Sequence, residues 1–197
     1  MKEGKVASFI KEYYPEYYIW CEYRTNECIP FSKVKDEWGI LGNFYPTPLV
    51  VDGVEFCNSE QLFQMMKFTD KDTLLSIYTK RGLPMKWIAK SGEKNGLCRG
   101  DWGKIIVDCM KFCLQTKFDQ SEDFRNSLDA TKGKVIVEDQ STTHKKTADT
   151  WGCKKEGDMF IGSNLLGRLL MELRDDGKLD YHLPEDIFDF IKVINNS

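Results

Sequence analysis

The clearest structural pattern in the chain lies at residues 58–67, which read Asn58-Ser59-Glu60-Gln61-Leu62-Phe63-Gln64-Met65-Met66-Lys67. Asn58 can cap the N-terminus of a helix, and Gln61 stands three residues later, where a capping box places Glu or Gln. At about 100° per residue, apolar and polar side chains separate onto opposite faces. The apolar face carries Leu62, Met65 and Met66, and the other face carries Glu60, Phe63, Gln64 and Lys67.

Two interpretations of the polar face are open. Charged side chains on the outer face of a helix are usually solvated surface. The same line of a carboxylate, an amide and an amine beside an aromatic ring could instead form the floor of a site. The rest of the chain has to decide between them.

The composition is typical of a globular domain. The 197 residues are 41% hydrophobic and 30% charged, which suits one domain with a small extension and a core that needs no disulfide or metal. The formal net charge is −3. We see no basic stripe that would make phosphate-backbone contacts the main source of affinity, although a nucleotide or a nucleic-acid end needs only a few local cations.

The cysteines and histidines indicate neither a disulfide framework nor a zinc site. The seven cysteines are odd in number and include no Cys-x-x-Cys, and neither His144 nor His182 lies at zinc-finger spacing. Cys109 and Cys113 stand four apart on a predicted helix and are expected to be buried thiols. The first twenty residues contain no apolar signal segment, and no run has the length of a membrane span. We expect a reduced, cytoplasmic protein without a membrane partner.

Periodicity and turn residues predict the secondary structure. Asp52-Gly53 between two short apolar runs predicts a hairpin of residues 49–51 and 54–56. Further strands are predicted at 18–24, 28–33 and 134–138, with a loop at 139–150. Helices are predicted at 8–17, 70–80, 83–90 and 102–118, from Ser121 through Leu128, from Leu165 to near Gly177, and from Pro184 through Ile191. Helices and strands mix without alternation, so the prediction is an α+β, mostly helical single domain.

Four more blocks stand in order around residues 58–67. They are Trp38–Pro46; Arg99–Trp102 with Lys104, Met110 and Lys117-Phe118; Ile136–Glu138 with Asp149, Trp151 and Gly152; and Gly162–Gly167 with Leu170–Arg174. Together the five blocks resemble, in the same order, the motifs of the NADAR family, also called YbiA-like or DUF1768. The resemblance covers residues 37–175 and implies a YbiA-like catalytic domain there, with an N-terminal extension at 1–36 and a C-terminal helical extension at 176–197 packed on the domain.

The chain departs from the family motifs at a few positions. Gly42 replaces the usual Ser, and Gln61 and Leu62 replace the His and the variable residue after the Glu. The loop before Trp151 is longer than in the family, and Cys153 stands where the family has a Gly-rich stretch after the Trp-Gly pair. These departures bear on loop geometry and substrate preference more than on family membership.

The resemblance implies an N-glycosidase, which hydrolyses a bond between ribose and nitrogen. Our leading expectation is removal of ADP-ribose from a nucleobase, guanine in DNA or RNA. The first alternative is hydrolysis of phosphoribosyl-aminopyrimidine intermediates of riboflavin biosynthesis, a small-molecule substrate. The second is an ADP-ribose- or NAD-binding module without turnover. None of these activities requires a metal or an organic cofactor.

Three residues are candidates for the chemistry. Cleavage builds positive charge on the ribose ring, which a carboxylate near C1′ can stabilise while it activates water. Glu60 is the first choice, although a Glu in a first helical turn also complements the helix dipole. Lys67 could bind a phosphate, attack C1′ to form a Schiff base, or simply be a surface lysine. Asp149 could orient water or a ribose hydroxyl, or be a turn residue.

The candidates for substrate binding combine aromatic, amide, cationic and backbone groups. Aromatic rings can stack on a base, Arg99 can clamp a diphosphate with its two-pronged guanidinium, and asparagines can bond ribose or tie loops. Trp102 also suits the core, and the amides of 162–164 can receive an anion or be used in capping. The full predicted set is Asn43, Phe44, Tyr45, Gln64, Arg99, Trp102, Trp151, Gly152 and Asn164.

Overall fold

The hairpin predicted around Asp52-Gly53 is present and leads directly into the helix that Asn58 caps. The structure is a computed structural model that describes residues 4–143 and 146–197. Residues 1–3 of the predicted extension, and His144 and residue 145 of the predicted 139–150 loop, lie outside the described residues. The predicted fold class is confirmed, because the domain is mixed α/β with short strands in small sheets.

The helices and strands follow one another in an irregular order. The helices are α1 (Lys5–Tyr13), α2 (Ser59–Met65), α3 (Lys71–Tyr78), α4 (Gly82–Lys94), α5 (Trp102–Gln120), α6 (Glu122–Asp129), α7 (Leu165–Asp176) and α8 (Asp189–Asn195). The strands are β1 (Cys21–Arg24), β2 (Cys28–Phe31), β3 (Leu49–Val51), β4 (Val54–Phe56), β5 (Val135–Glu138), β6 (Cys153–Glu156) and β7 (Met159–Gly162).

Contacts divide the chain into two compact units, and the first comprises residues 1–42 and 121–179. It contains an antiparallel sheet in the order β1-β7-β6 and the parallel pair β2-β5. Helix α7 packs on β5, and Val137, Cys153 and Phe160 form a buried apolar cluster. The β6–β7 hairpin was not predicted, although the Gly157-Asp158 dipeptide at its turn, with Gly157 at φ +61°, is a recognised hairpin signal.

The second unit comprises residues 43–120 and 180–197. It contains the β3–β4 hairpin and helices α2, α3, α4, α5 and α8, with α2 packed on α5 and α3 packed on α4 and α8. The ring of Phe56 meets the edges of Tyr78 and Phe190, each with ring centroids 5.9 Å apart. This core supports α2, which carries several predicted site residues.

Three predicted helices differ from the structure by more than two residues at an end, and the one predicted at 83–90 is α4, which extends to Lys94. The helix predicted at 8–17 is α1, which ends at Tyr13, followed by a 3₁₀ turn at Pro15–Tyr17. Pro15 explains this end, because the residue before a proline avoids helical backbone angles, and Tyr14 has φ −138°. The final helix begins at Asp189 rather than at Pro184, with turns between them.

Two general expectations can be compared with the structure. Cys109 and Cys113 are buried on α5 as predicted, and all seven cysteines, which lie in the described part of the chain, are free thiols. Across residues 4–143 and 146–197, no helix combines the length and the apolarity needed to span a bilayer.

Candidate active site

The predicted site residues fall into two groups, one in each unit. The second unit holds Asn43, Phe44, Tyr45, Glu60, Gln64, Lys67, Arg99 and Trp102, and the first unit holds Asp149, Trp151, Gly152 and Asn164. Their predicted roles in binding and catalysis stay predictions.

Helix α2 begins as the sequence predicts. Asn58 caps it, because its Oδ1 accepts the backbone N–H of Gln61 at 2.9 Å. The polar face is not solvated surface, since Glu60, Gln64 and Lys67 are only 7, 7 and 8% exposed. The helix ends at Met65, so Lys67 lies just beyond it rather than on its face.

Glu60 and Gln64 form a buried pair on successive turns of α2. The Gln64 Nε2 donates to Glu60 Oε1 at 3.0 Å. The Oε1 of Gln64 is buried and accepts no hydrogen bond from any described residue. A buried amide oxygen without a donor is costly, so this pair leaves one acceptor open beside a carboxylate.

The start of α2 holds the segment that contains Asn43 and Phe44. The Asn43 backbone carbonyl accepts the Glu60 N–H at 3.1 Å, and the Ser59 hydroxyl donates to Asn43 Oδ1 at 3.1 Å. The Asn58 side chain donates to the Phe44 carbonyl at 3.2 Å. These bonds place a predicted substrate-binding segment next to the predicted catalytic carboxylate. Sequence reasoning missed the role of Ser59, which its place in the family-like block could have indicated.

Gln61 occupies a position where the chain departs from the family motif. Its Oε1 accepts the backbone N–H of Cys57 at 2.8 Å, one residue before the donor of a standard capping box. Its Nε2 lies within hydrogen-bond distance of the carbonyls of Ile77, Tyr78 and Lys80. Gln61 therefore joins the start of α2 to the end of α3.

Lys67 lies between a carboxylate and an aromatic face. Its Nζ is 3.0 Å from Glu93 Oε2 and 5.7 Å from the centre of the Trp102 ring. The Trp102 ring packs on Phe63, with ring centroids 5.2 Å apart. Glu93 lies on α4, and no pattern in the sequence identified it as the partner of Lys67.

Arg99 is already bound by two carboxylates. Its Nε and Nη2 each contact one oxygen of Asp101 at 2.9 Å, and Nη2 also contacts Asp186 Oδ1 at 3.0 Å. Hydrogen bonding to Asp101 raises the pKa of the guanidinium and lowers the pKa of that carboxyl. The two-pronged edge predicted to clamp a diphosphate is thus used by Asp101, and a phosphate would have to displace it.

The cysteines of α5 are not suited to act as nucleophiles. Burial raises the pKa of the Cys113 thiol well above its usual range, and the negative charges near it, including Glu60, raise it further. Burial also raises the pKa of Cys109. A thiol that stays protonated at neutral pH reacts slowly, so Glu60 remains the candidate for the chemistry.

In the first unit, Asp149 organises the loop before Trp151. Its Oδ1 accepts the Gln140 side-chain amide at 2.6 Å and the Trp151 N–H at 3.0 Å. The Gln140 Oε1 in turn accepts the Asp149 N–H at 2.8 Å. Gln140 was not predicted, and no sequence signal marks it.

Asn164 ties β5 to the start of α7. Its Nδ2 donates to the Ile136 carbonyl at 2.8 Å, and its Oδ1 accepts the Glu138 N–H at 3.2 Å. The N–H groups of residues 164–166 donate to the carbonyls of residues 152, 150 and 151, respectively. The amide groups of Asn164 and of the next two residues are therefore used internally, which agrees with a structural role for this helix start rather than with an anion site.

Gly152 lies where two chain segments meet closely. A Cβ added at Gly152 would lie 2.4 Å from the Glu138 carbonyl oxygen, and the Gly152 carbonyl itself accepts the Asn164 N–H at 3.2 Å. Any larger residue would force β5 away from the segment that leads into β6. Its place in the motif is thus explained by packing, and contact with a substrate stays a prediction.

Comparison with known proteins connects this arrangement to a family. The NADAR domain model matches residues 30–176. The N-glycosidase YbiA of Escherichia coli is 32% identical over 147 residues, which cover 75% of this chain and 86% of that protein. A riboflavin biosynthesis protein of Vibrio vulnificus is 30% identical over 163 residues, which cover 83% of this chain and 41% of that protein.

The solved structures give the same result. The NMR structure of Escherichia coli YbiA matches with a TM-score of 0.62 at 30% sequence identity and covers 83% of this chain and 94% of that one. The resemblance predicted from five ordered blocks is confirmed, whereas the exact boundaries of the predicted extensions stay predictions. Since the family model matches most of its length and a relative of similar length is named an N-glycosidase, this chain belongs to the NADAR family.

Proposed function

We propose that this protein hydrolyses the bond between ribose and nitrogen in an ADP-ribosylated nucleobase, with guanine in DNA or RNA as the substrate. One observation carries the proposal: Glu60 is a buried carboxylate that Gln64 orients. Several relatives of this chain are named N-glycosidases. A carboxylate held out of bulk water stabilises positive charge far better than an exposed one.

The reaction needs one carboxylate and one water. As the bond breaks, its electron pair leaves with the base nitrogen, and the ribose carbon becomes cationic. Glu60 stabilises this charge and accepts a proton from the attacking water, whose oxygen forms the new bond to carbon. The departing nitrogen takes up a proton from solvent water, and Glu60 then releases its own proton to solvent, so that the carboxylate is restored. The Gln64 Oε1, which accepts no hydrogen bond from the part of the chain that the structure describes, offers an acceptor for a substrate hydroxyl next to Glu60.

The remaining candidates support binding. Phe44 and Tyr45 follow the segment that α2 holds in place and offer rings for stacking, and Trp102 lies beside Lys67. Lys67 brings an ammonium group to this region, and a substrate phosphate could bind it in place of Glu93. Asp149 and Trp151 lie in the first unit, on the loop that Gln140 stabilises, and their roles stay predictions.

The direct test is release of ADP-ribose. The protein is incubated with a single-stranded oligonucleotide that carries one ADP-ribosylated guanine, and products are separated by mass spectrometry, with Escherichia coli YbiA and heat-inactivated protein run in parallel. We expect free ADP-ribose and an intact unmodified strand. Absence of release while another NADAR protein cleaves the same substrate would refute the proposal.

A second candidate function is hydrolysis of a phosphoribosyl-aminopyrimidine from riboflavin biosynthesis. It is favoured by the names of two relatives, the Vibrio vulnificus protein and a chloroplastic riboflavin biosynthesis protein of Zea mays that is 29% identical over 168 residues. Measuring kcat/KM for both substrates separates the candidates. Tight binding of ADP-ribose by calorimetry, with neither substrate turned over, would instead indicate a binding module.

The two active roles of Lys67 can also be separated. If its amine attacks the ribose carbon, reduction with cyanoborohydride during turnover should leave a mass increase on the peptide that contains Lys67. If it contacts a phosphate, no adduct forms, and Lys67→Gln should raise KM for a phosphorylated substrate more than for one that lacks phosphates.

A further inference from the structure

Helix α4 exposes an ordered face of apolar and cationic side chains. Its buried face consists of Met85, Ala89 and Gly92. At about 100° per residue, four side chains spaced i, i+4, i+7 and i+11 lie together on the opposite face. We call this face the α4 strip, and it consists of Leu83, Trp87, Lys90 and Lys94.

The α4 strip is unusual in what it leaves uncovered. Trp87 is 64% exposed and Leu83 is 59% exposed. Large apolar side chains that lie this close together on a free surface commonly mark an interaction site. Lys90 and Lys94 are exposed on the same face. The strip extends from Leu83 to Lys94, about 17 Å along the helix at 1.5 Å per residue.

The charge around the strip is opposite in sign to that of the whole chain. Residues 80–94 contain five cationic side chains, of Lys80, Arg81, Lys86, Lys90 and Lys94, and one carboxylate, that of Glu93. That carboxylate is paired with Lys67. The net charge of the whole chain is −3, so the expectation from the sequence that the chain has no basic stripe does not hold for this helix.

One flank of α4 connects the strip to the candidate active site. Lys86 Nζ lies 5.0 Å from the centre of the Phe44 ring, and Glu93 Oε2 lies 3.0 Å from Lys67 Nζ. Lys86 and Glu93 are separated by two turns on the same side of the helix. A polymer that follows the strip would therefore pass beside Phe44 and Lys67.

From this geometry we propose that the α4 strip binds a single-stranded polynucleotide, so that the modified base is presented as part of a strand. Trp87 stacks on an unpaired base, and Lys90 and Lys94 contact phosphates. Stacking on exposed aromatic side chains combined with cations along the backbone is how proteins hold single strands, and a duplex would keep its base faces covered. An acidic peptide would match the cations but would have no use for the exposed indole. This inference rests on the proposed function for its substrate class.

The test measures strand binding without turnover. Fluorescence anisotropy follows binding of the full chain to a labelled, unmodified single-stranded oligodeoxynucleotide and to the matching oligoribonucleotide. Trp87→Ala should weaken binding about tenfold. The double variant Lys90→Gln/Lys94→Gln should make the slope of log K against log[salt] less steep by about 1.4, because each phosphate contact to a single strand contributes about 0.7.

Two matched variants control for general effects of surface change. Val50→Ala removes an exposed apolar side chain from β3, and Lys192→Gln removes an exposed cation from α8. Both should bind the strand as the wild type does. Circular dichroism of every variant confirms that the fold is retained.

The outcomes separate this inference from the proposed function. Binding of labelled poly-glutamate to the same variants is measured as the acidic-peptide comparison. Unchanged strand binding by the Trp87 and Lys90/Lys94 variants overturns the inference, as does a loss of poly-glutamate binding equal to the loss of strand binding. Neither result affects ADP-ribose release, which judges the proposed function alone. If the protein releases no ADP-ribose but the α4 variants lose affinity for the strand, the inference about the α4 strip is supported and the proposed function is refuted. Equal losses for both oligonucleotides show recognition of features that DNA and RNA share, and unequal losses identify the preferred strand.

Discussion

Gln64 donates its side-chain amide to Glu60 at 3.0 Å, and the other end of the same amide has no partner among the described residues. The two side chains lie one turn apart on α2, both almost completely buried. The hydrogen bond fixes the direction of the Gln64 amide, so the open oxygen is held beside the carboxylate. A ribose hydroxyl of the substrate could donate a hydrogen bond to this neutral oxygen, while the ribose carbon beside the hydroxyl faces Glu60.

We expect Glu60→Gln to abolish turnover while preserving the fold. The amide keeps the size of the side chain but removes the negative charge that stabilises the cationic ribose, so kcat should fall by about 10²- to 10⁴-fold. Release of ADP-ribose under single-turnover conditions measures the effect, and calorimetry checks that ADP-ribose still binds.

Glu55→Gln is the matched control for this change. Glu55 is exposed on β4, only five residues earlier in the chain, and its variant should keep wild-type activity. If Glu60→Gln turned over substrate at the wild-type rate, Glu60 would have no part in the mechanism.

We expect Gln64→Leu to reduce kcat/KM by about 10- to 100-fold, because the variant loses the hydrogen bond that orients the charged Glu60 carboxylate as well as the neutral bond to a substrate hydroxyl. Stability should change by less than about 1 kcal/mol, because the variant also removes a buried oxygen that has no partner. Substrate kinetics and urea unfolding measure the two effects. A loss of stability without a loss of activity would show that Gln64 supports the helix rather than the substrate.

The sequence was sufficient wherever neighbouring residues determine the local structure. The Asp52-Gly53 hairpin and the cap supplied by Asn58 are present as predicted, and the helix predicted from Ser121 begins directly after Ser121, which caps it. In each case a side chain or a turn conformation acts within three residues, so the one-dimensional pattern contains the cause.

The sequence was insufficient wherever distant segments meet. Strand β6 has a polar pair, Lys154-Lys155, and forms a strand because β7 pairs with it and with β1, which is far away in the chain. In the site, Glu93 reaches Lys67 from another helix. Gln140 likewise reaches Asp149 across the 139–150 loop, so neither partner follows a local periodicity.

We expect Gln61→Ala to destabilise the fold by about 2–4 kcal/mol, because it strands several buried backbone groups at once. The Cys57 N–H loses its acceptor, and the carbonyls at the end of α3 lose their donor. Urea unfolding measures the change. Gln61→Glu keeps the acceptor but turns a buried carboxylate oxygen toward the carbonyls that Nε2 contacts, so at neutral pH it should be destabilised at least as much as the alanine variant. Equal stability of all three proteins would contradict this account.

Lys117 is a buried lysine on α5 whose titration should affect stability near neutral pH. Its side chain is completely shielded from solvent, and this burial lowers the pKa of the ammonium to about 7. The unfolded chain keeps a lysine pKa of about 10.4. Between these two values the unfolded state binds more protons than the folded state, so the free energy of unfolding increases as the pH rises.

We expect the wild type to gain about 2 kcal/mol of unfolding free energy relative to Lys117→Met when the pH rises from 7 to 9. Below pH 6 the difference should be constant, because Lys117 is then protonated in both states and the folded protein carries the full cost of a buried charge. Urea unfolding at each pH measures it. Lys192→Met, which removes an exposed ammonium, should follow the wild type in parallel. If the curves of Lys117→Met and the wild type were also parallel from pH 7 to pH 9, Lys117 would stay charged in the fold.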